Sequence, residues 1–479
     1  MKIMKLKLIF LAVLGMLGVV PLKALVKLPD ILNDNMVIQR NSTVKLWGTT
    51  DPTKEVTINA TWNAKAVTTK ADREGRFSVE VPTGDAGGPY RVLFDDGQYV
   101  EIKNVLLGDV WICSGQSNME YPMKGFTGQP DCDGQRYIVK AKAHTPIRMF
   151  TVQRQFSTEK QENCVGTWKQ NTSEAVADFS AVGYFFGFNL QEILGVPIGL
   201  INTSWGGSSI ESWMDKEHLK GFVKDFSSIP TDQNQINAPN KTPMVLYNGM
   251  MNPLRKLTVK GFIWYQGEAN RFTYTTYEAL QASFVSQLRT LFHNPSLPYY
   301  FAQIAPFSGN KGHRLGACLR EQQLKSSQHL AHAGMATLTD IGEEHRIHPR
   351  YKHEVGNRLA YWALADTYGK TGFDYRSPEY EQMRREGDKA ILSFRYAENG
   401  ISTPTGKLSL FEVAGADKVF YPALANIAKN RKEVEVSSDK VSKPVAVRYA
   451  FYDFVKGELF GNSGLPVSSF RTDDWTLIE

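Results

Sequence analysis

The sequence predicts an α/β protein: one parallel-sheet domain with a β-rich region on each side. Three observations carry that prediction. From about Gly108 to Lys370, strand-like and helix-like stretches alternate, and such alternation gives parallel strands with helices on both faces. Before and after that span, short strand-like runs are separated by turns, the texture of a β-sandwich. The chain has 479 residues, enough for two or three domains.

The first 24 residues read as a leader. Lys2, Lys5 and Lys7 precede an apolar run from Leu8 to Leu22. That run falls short of the roughly 20 residues a spanning helix needs. With Ala24 as a small residue for cleavage, it predicts a secretory signal and a secreted or periplasmic protein. A short membrane anchor is the alternative, and the polar β-type sequence that soon follows weighs against it.

Residues 25–105 form the first β region, with strands expected at Met36–Gln39, Thr43–Trp47, Val56–Thr61 and Arg76–Val81. Residues 106–370 form the central domain. Its strands are expected at Asp109–Cys113, Arg148–Gln153, Pro197–Asn202, Gly261–Tyr265, Tyr299–Ile304 and Met335–Leu338. Helices are expected at Ser180–Leu194, Thr275–Phe292, Gly312–Leu330 and Lys352–Thr367. In the second of these, Tyr277, Leu280, Phe284, Leu288 and Leu291 recur at three- and four-residue steps, which makes one buried face. Residues 371–479 return to strands, among them Ala390–Tyr396, Glu433–Val436 and Ala446–Tyr452.

Composition narrows the classes. Hydrophobic residues make up 42% and charged residues 22%, ordinary for a soluble globular protein, so disorder is not expected. The net charge is +6, but the leader holds four lysines and no acid, which leaves about +2. No basic run is interleaved with aromatics, so nucleic acid is not an expected partner. The four cysteines are Cys113, Cys132, Cys164 and Cys318. Export permits disulfides, and Cys132–Cys164 is the pair expected first; Cys113 is expected in the core. The cysteines lack metal-ligand spacing, and His345 with His348 makes a weak metal site. No metal or cofactor is therefore expected. Stable membrane insertion after leader removal is not expected either, and oligomeric state is left open.

Four polar motifs follow the ends of four expected strands. In an open parallel sheet the working crevice lies outside those ends. The first is Gly115-Gln116-Ser117-Asn118-Met119, which places a serine hydroxyl at a rigid rim, where a nucleophile is well oriented. The second is Trp205-Gly206-Gly207-Ser208-Ser209, whose glycines let backbone N–H groups approach a developing oxyanion. The third is Trp264-Tyr265-Gln266-Gly267-Glu268, where Gln266 could donate to the same oxyanion and Glu268 could brace neighbouring loops. The fourth is Asp340 to Pro349, where His348 is suited to take a proton from serine near neutral pH.

Together these motifs, with Ile347-His348-Pro349, resemble the sialate O-acetylesterases within the SGNH-type hydrolases. The resemblance extends to Asn35-Met36-Val37-Ile38-Gln39-Arg40 and to Pro444 through Ala450, so it covers nearly all of the chain beyond the leader. It implies a flavodoxin-like three-layer domain with a parallel sheet, flanked by β-sandwich-like regions. It also implies metal-free removal of O-acetyl groups from sugars through an acetyl-enzyme. By the same resemblance Ser117 is the nucleophile and His348 the general base. The N–H groups of Ser117 and of Gly206 or Gly207, with Gln266, would form the oxyanion hole.

One position departs from the family pattern. Many relatives carry an aspartate two residues before the histidine, where this chain has Arg346. An arginine cannot accept the imidazole N–H. Glu343, Glu344 or Asp340 is expected to replace that acid, or a backbone carbonyl does the work; Arg346 is then free to meet a substrate carboxylate. The expected substrate is an O-acetylated sialic acid. Acetylated xylan or another glycan, a binding protein with an inactive hydrolase domain, and a glycosidase using Glu268 are the alternatives. The last lacks an evident partner acid. Trp213, Trp264 and Tyr265 are candidates to stack on a sugar ring.

Overall fold

The computed structural model describes residues 26–309 and 314–477. The expected leader, 1–24, lies outside the described residues, as does the expected start of the third helix at Gly312.

The chain opens with β1 (Val37–Gln39), β2 (Thr43–Thr49), β3 (Glu55–Ala60), β4 (Val67–Lys70), β5 (Arg76–Pro82) and β6 (Gly87–Asp95). β2 pairs antiparallel with β5, and β3 pairs antiparallel with both β4 and β6. Alternation in β3, with Val56, Ile58 and Ala60 buried, gives this region one apolar face.

β7 (Tyr99–Gly115) joins the two halves of the architecture. Its first part pairs antiparallel with β6, and Leu106–Gly108 pairs parallel with β1. Its second part enters the central sheet between β10 (Ile198–Ser204) and β11 (Gly261–Tyr265), parallel to both. Every residue from Val105 to Gly115 is buried, as a strand covered on both faces requires. The change from β region to α/β domain thus falls inside one strand rather than in a linker.

The central sheet adds β8 (Ile147–Thr151), β9 (Trp168–Gln170), β12 (Tyr299–Ala302) and β13 (Ala333–Ala336), in the order β13-β12-β11-β7-β10-β8-β9. All neighbours are parallel except the edge pair β8–β9. Helices α1 (Ser117–Glu120), α2 (Gly134–Lys140), α3 (Ser173–Asp178), α4 (Ala181–Leu194), α5 (Tyr277–Leu291), α6 (Leu315–His329) and α7 (Lys352–Trp362) connect the strands.

Alternation along β7 divides the core. Ile112 and Val110 point into the cluster that holds Leu280, Phe284 and Leu288 of α5. Trp111 and Cys113 point into the other, with Phe186 and Leu190 of α4 and Val355 and Leu359 of α7. The α5 stripe follows the expected spacing, and burial of a side chain such as Phe284 contributes on the order of 2 kcal/mol. Leu291, at the helix end, is half-buried.

The C-terminal region is antiparallel. Glu379–Glu386, Lys389–Arg395, Glu433–Ser437 and Leu424–Ile427 form one sheet; Phe420–Pro422, Phe411–Ala414, Ala446–Tyr449 and Phe470–Arg471 form another. It docks on α6 through Arg320, whose buried guanidinium donates to Ser469 Oγ and to the Tyr452 and Asp453 carbonyls.

The expected Cys132–Cys164 disulfide is not formed; both thiols are free. Cys164 is buried, with Asp30 of the β region nearby. Cys132 is exposed and its N–H donates to the Arg350 carbonyl, beside the loop that carries His348. Trp213, Trp264 and Tyr265 have no exposed surface, so none can present a ring to a sugar. Among the described residues no helix is long and apolar enough to cross a membrane.

Candidate active site

The site lies at the carboxyl ends of β7, β10, β11 and β13. β7 stops at Gly115, whose φ is +144° and whose backbone lies against Tyr265: a Cβ there would sit 2.1 Å from the Tyr265 carbonyl oxygen. Only glycine makes this turn. The next N–H, of Gln116, donates to that same carbonyl at 3.0 Å. The buried Gln116 side chain accepts from the Gly267 and Ala269 N–H groups, which fixes the turn to the loop after β11. Ser117 then begins α1.

The His348 ring comes to Ser117 from the loop after β13. Its Nε2 lies 2.8 Å from Ser117 Oγ. Phe126 and Tyr121 pack about it, with ring centroids 5.3 and 6.3 Å away. Burial, aided by the nearby Lys352 charge, lowers the imidazole pKa from 6.5 to about 4. The ring is therefore neutral at ordinary pH, the state in which Nε2 can accept a proton.

The other ring nitrogen, Nδ1, faces Gln129 Oε1 at 3.0 Å. None of the three expected acids occupies that place. Asp340 is engaged by Arg358, with contacts of 2.8 and 2.7 Å. Glu343 is held by Arg350 at 3.0 Å and faces Arg346 at 3.5 Å. The half-exposed Glu344 carboxylate lies 3.9 Å from the exposed His345 ring. Sequence reasoning missed Gln129 because a neutral amide is not sought where a carboxylate is usual. The local signal was Gly125, which permits the tight loop: its φ is +79° and a Cβ would sit 2.2 Å from the Gln129 carbonyl oxygen.

The glycine pair stands opposite. A Cβ on Gly206 would lie 3.5 Å from Ser117 Cβ. The Gly206 N–H donates to Glu120 Oε2 at 2.9 Å, and Arg154 grips the other oxygen of that carboxylate. Ser117 N–H lies in the first turn of its helix and has no intrahelical acceptor. Among the described residues neither it nor Gly207 N–H has another acceptor. Gln266 corrects the expectation: its amide is fully buried and turned into the loops, donating to Ser208 O at 3.0 Å and Asn270 Oδ1 at 2.7 Å. Its oxygen accepts from Tyr277 OH at 2.9 Å. With these bonds made, Gln266 braces the wall of the site and offers no free donor to an oxyanion.

A buried polar group supports the reacting pair. Asn118 Nδ2 donates to Glu268 Oε1 at 2.6 Å and to the Ile347 carbonyl at 3.1 Å. Lys352 Nζ donates to Asn118 Oδ1 at 2.7 Å. Burial raises the Glu268 carboxyl pKa. Sequence reasoning named Glu268 as a brace but missed Lys352, which it took as an ordinary helix start. Among the described residues no cluster of three or more His, Cys, Asp or Glu side chains could hold a metal ion.

Residues 107–365 match the model of the carbohydrate esterase family of sialic acid-specific acetylesterases. The chain is 28% identical over 461 residues to the sialate O-acetylesterase of Homo sapiens, covering 88% of this chain and 86% of that protein. It is 25% identical to the enzyme of the same name from Mus musculus, covering 88% of each. Among solved structures, the crystal structure of a carbohydrate acetylesterase from Xanthomonas citri superposes with a TM-score of 0.85. That relative shares 36% identity, and the match covers 94% of this chain and 100% of the other. The strand-end motifs, the sheet that carries them and these matches agree: the chain is an ester hydrolase and belongs to the sialic acid-specific acetylesterase family of carbohydrate esterases.

Proposed function

We propose that the protein is an exported carbohydrate O-acetylesterase that removes O-acetyl groups from sialic acids by Ser–His catalysis. The observation that carries this reading is the 2.8 Å approach of Ser117 Oγ to His348 Nε2.

In the first half-reaction Ser117 gives its hydroxyl proton to His348 Nε2, and Oγ attacks the acetyl carbonyl carbon. The carbonyl oxygen becomes an oxyanion, and the free N–H groups of Ser117 and Gly207 are the donors suited to it. His348 then returns the proton to the departing sugar oxygen, leaving acetyl-Ser117. In the second half-reaction His348 takes a proton from water, hydroxide oxygen attacks the acetyl carbon, and acetate leaves as Ser117 Oγ regains the proton.

Gln129 sets the tautomer. Its Oε1 can only accept, so the imidazole proton sits on Nδ1 and leaves Nε2 bare. A neutral amide stabilises the transient imidazolium less than a carboxylate would. His348 is thus a weak base, unprotonated at rest and protonated only in passing, in a dyad oriented by an amide.

The SGNH-type, flavodoxin-like three-layer reading of the domain, with sandwich-like flanks, draws support from the parallel strand order and the two core clusters on opposite sides of the sheet. Export rests on the three early lysines and the apolar run that follows them. The sialic acid substrate follows the curated relatives. A second reading, deacetylation of xylan or another acetylated glycan, is favoured by the Xanthomonas citri relative, described only as a carbohydrate acetylesterase. Acetate release from O-acetylated sialic acids and from acetylated xylan, measured side by side with Ser117→Ala as control, separates the two. Turnover of xylan alone would overturn the first.

A further inference from the structure

One charged side chain beside the reacting pair has no task in the steps above. Lys352 is the first residue of α7 and is fully buried. Its Nζ donates to Asn118 Oδ1 at 2.7 Å and to the Pro349 carbonyl at 2.7 Å. Asn118 is the residue after Ser117, and Pro349 is the residue after His348. On the other side of the ring, the Ile347 carbonyl accepts from Asn118 Nδ2 at 3.1 Å. Both carbonyls that flank His348 are therefore tied to the side chain next to Ser117, one directly and one through the ammonium.

Two general effects oppose a cation here. A helix N-terminus disfavours positive charge, and burying an ammonium carries a desolvation penalty. The surroundings are nevertheless arranged to receive it. The rings of Tyr121 and Tyr265 lie 4.6 and 5.8 Å from Nζ, and aromatic faces attract a cation. Asp131 from the loop before α2, Glu268 from the loop after β11 and Glu343 from the loop after β13 face it with negative charge.

We propose that Lys352 is a positioning residue for the esterase reaction. Its ammonium clamps the Ser117 turn to the His348 loop through Asn118 and Pro349. Its charge also adds to burial, the larger cause, in lowering the imidazole. This rests on the Ser117–His348 reading of the site. Burial outweighs the three carboxylates and brings Lys352 down to about 7, so it is charged throughout the acidic range in which His348 titrates.

The test compares pH profiles of kcat/KM for the wild type, Lys352→Met and Lys352→Gln on 4-nitrophenyl acetate. Methionine keeps the apolar stem and loses the ammonium; glutamine keeps N–H donors on a shorter stem and loses the charge. In Lys352→Met, kcat is expected to fall about tenfold or more while KM stays within about twofold, because orientation and not binding is lost. In both variants the acid limb is expected to move up from about 4 but to stay below 6.5, because burial, the larger cause, remains. A residue that only stabilised the fold would leave that limb in place. An unmoved limb in either folded variant, or wild-type kcat in Lys352→Met, overturns the proposal. If Lys352→Met fails to fold, Lys352→Gln decides alone. Ser117→Ala is run in parallel: activity there breaks the Ser–His reading itself, whereas an inactive Ser117→Ala beside an unmoved limb breaks this proposal only.

Discussion

His348 Nδ1 meets Gln129 Oε1 at 3.0 Å, so an uncharged amide stands where the third member of a serine-hydrolase triad is ordinarily a carboxylate. The consequence is specific. Gln129→Ala frees the ring to take the wrong tautomer, and kcat should fall on the order of 10²-fold. Gln129→Glu puts a charge beside Nδ1 and should raise the acid limb of kcat/KM. Steady-state kinetics across pH on both variants checks this; an unchanged limb in Gln129→Glu would place the amide away from the working ring.

The wild-type pH profile follows from the same burial. His348 works as a base only when neutral, and its pKa is lowered from 6.5 to about 4. Activity governed by this group should therefore hold as pH falls through 6.5 and decline only near 4. The sign for stability is opposite in origin: the unfolded chain protonates this histidine at about 6.5 while the folded one does not, so its contribution to stability falls between 6.5 and about 4. A profile of kcat/KM whose acid limb lies at the ordinary histidine value would show that the ring is not desolvated.

Gln266 is expected to behave as a brace. Gln266→Ala removes bonds to Ser208, Asn270 and Tyr277 in a fully buried setting, and should lower unfolding free energy by about 2–4 kcal/mol. Chemical denaturation measures it. A variant of wild-type stability with kcat reduced on the order of 10²-fold would instead mean that the amide reaches the oxyanion.

Arg320 of α6 ties the C-terminal region to the central domain. It is wholly buried, and burial lowers it to about 10, and it donates to Ser469 Oγ and to the carbonyls of Tyr452 and Asp453. Arg320→Met should leave those carbonyls unsatisfied, at about 1–3 kcal/mol each. Hydrogen exchange should then quicken first in residues 452–471. Uniform protection across that segment would contradict the docking role.

Much of this was legible in the sequence for a physical reason. Parallel strands buried on both faces read as apolar runs, so Gly261–Tyr265 and its neighbours stood out, and the three- and four-residue spacing of α5 marked its buried face. The strand-end rule brought Ser117 and His348 forward together although 231 positions separate them. What stayed hidden depends on side-chain direction. Gln266 reads as a donor but points into the wall, and Asp340 reads as an available acid but is consumed by Arg358. Lys352 looks like an exposed helix start until the loops close over it. Gln129 lies in a Gly-rich loop that nothing in the sequence connects to His348.

The most direct test of the account is the acetyl-enzyme. Rapid quenching of the protein with 4-nitrophenyl acetate, followed by peptide mass spectrometry, should find one acetyl group on the peptide bearing Ser117, at Oγ, and none in Ser117→Ala, which should also be inactive. Full turnover by Ser117→Ala, or an acetyl group that forms and is released at another residue, would contradict it.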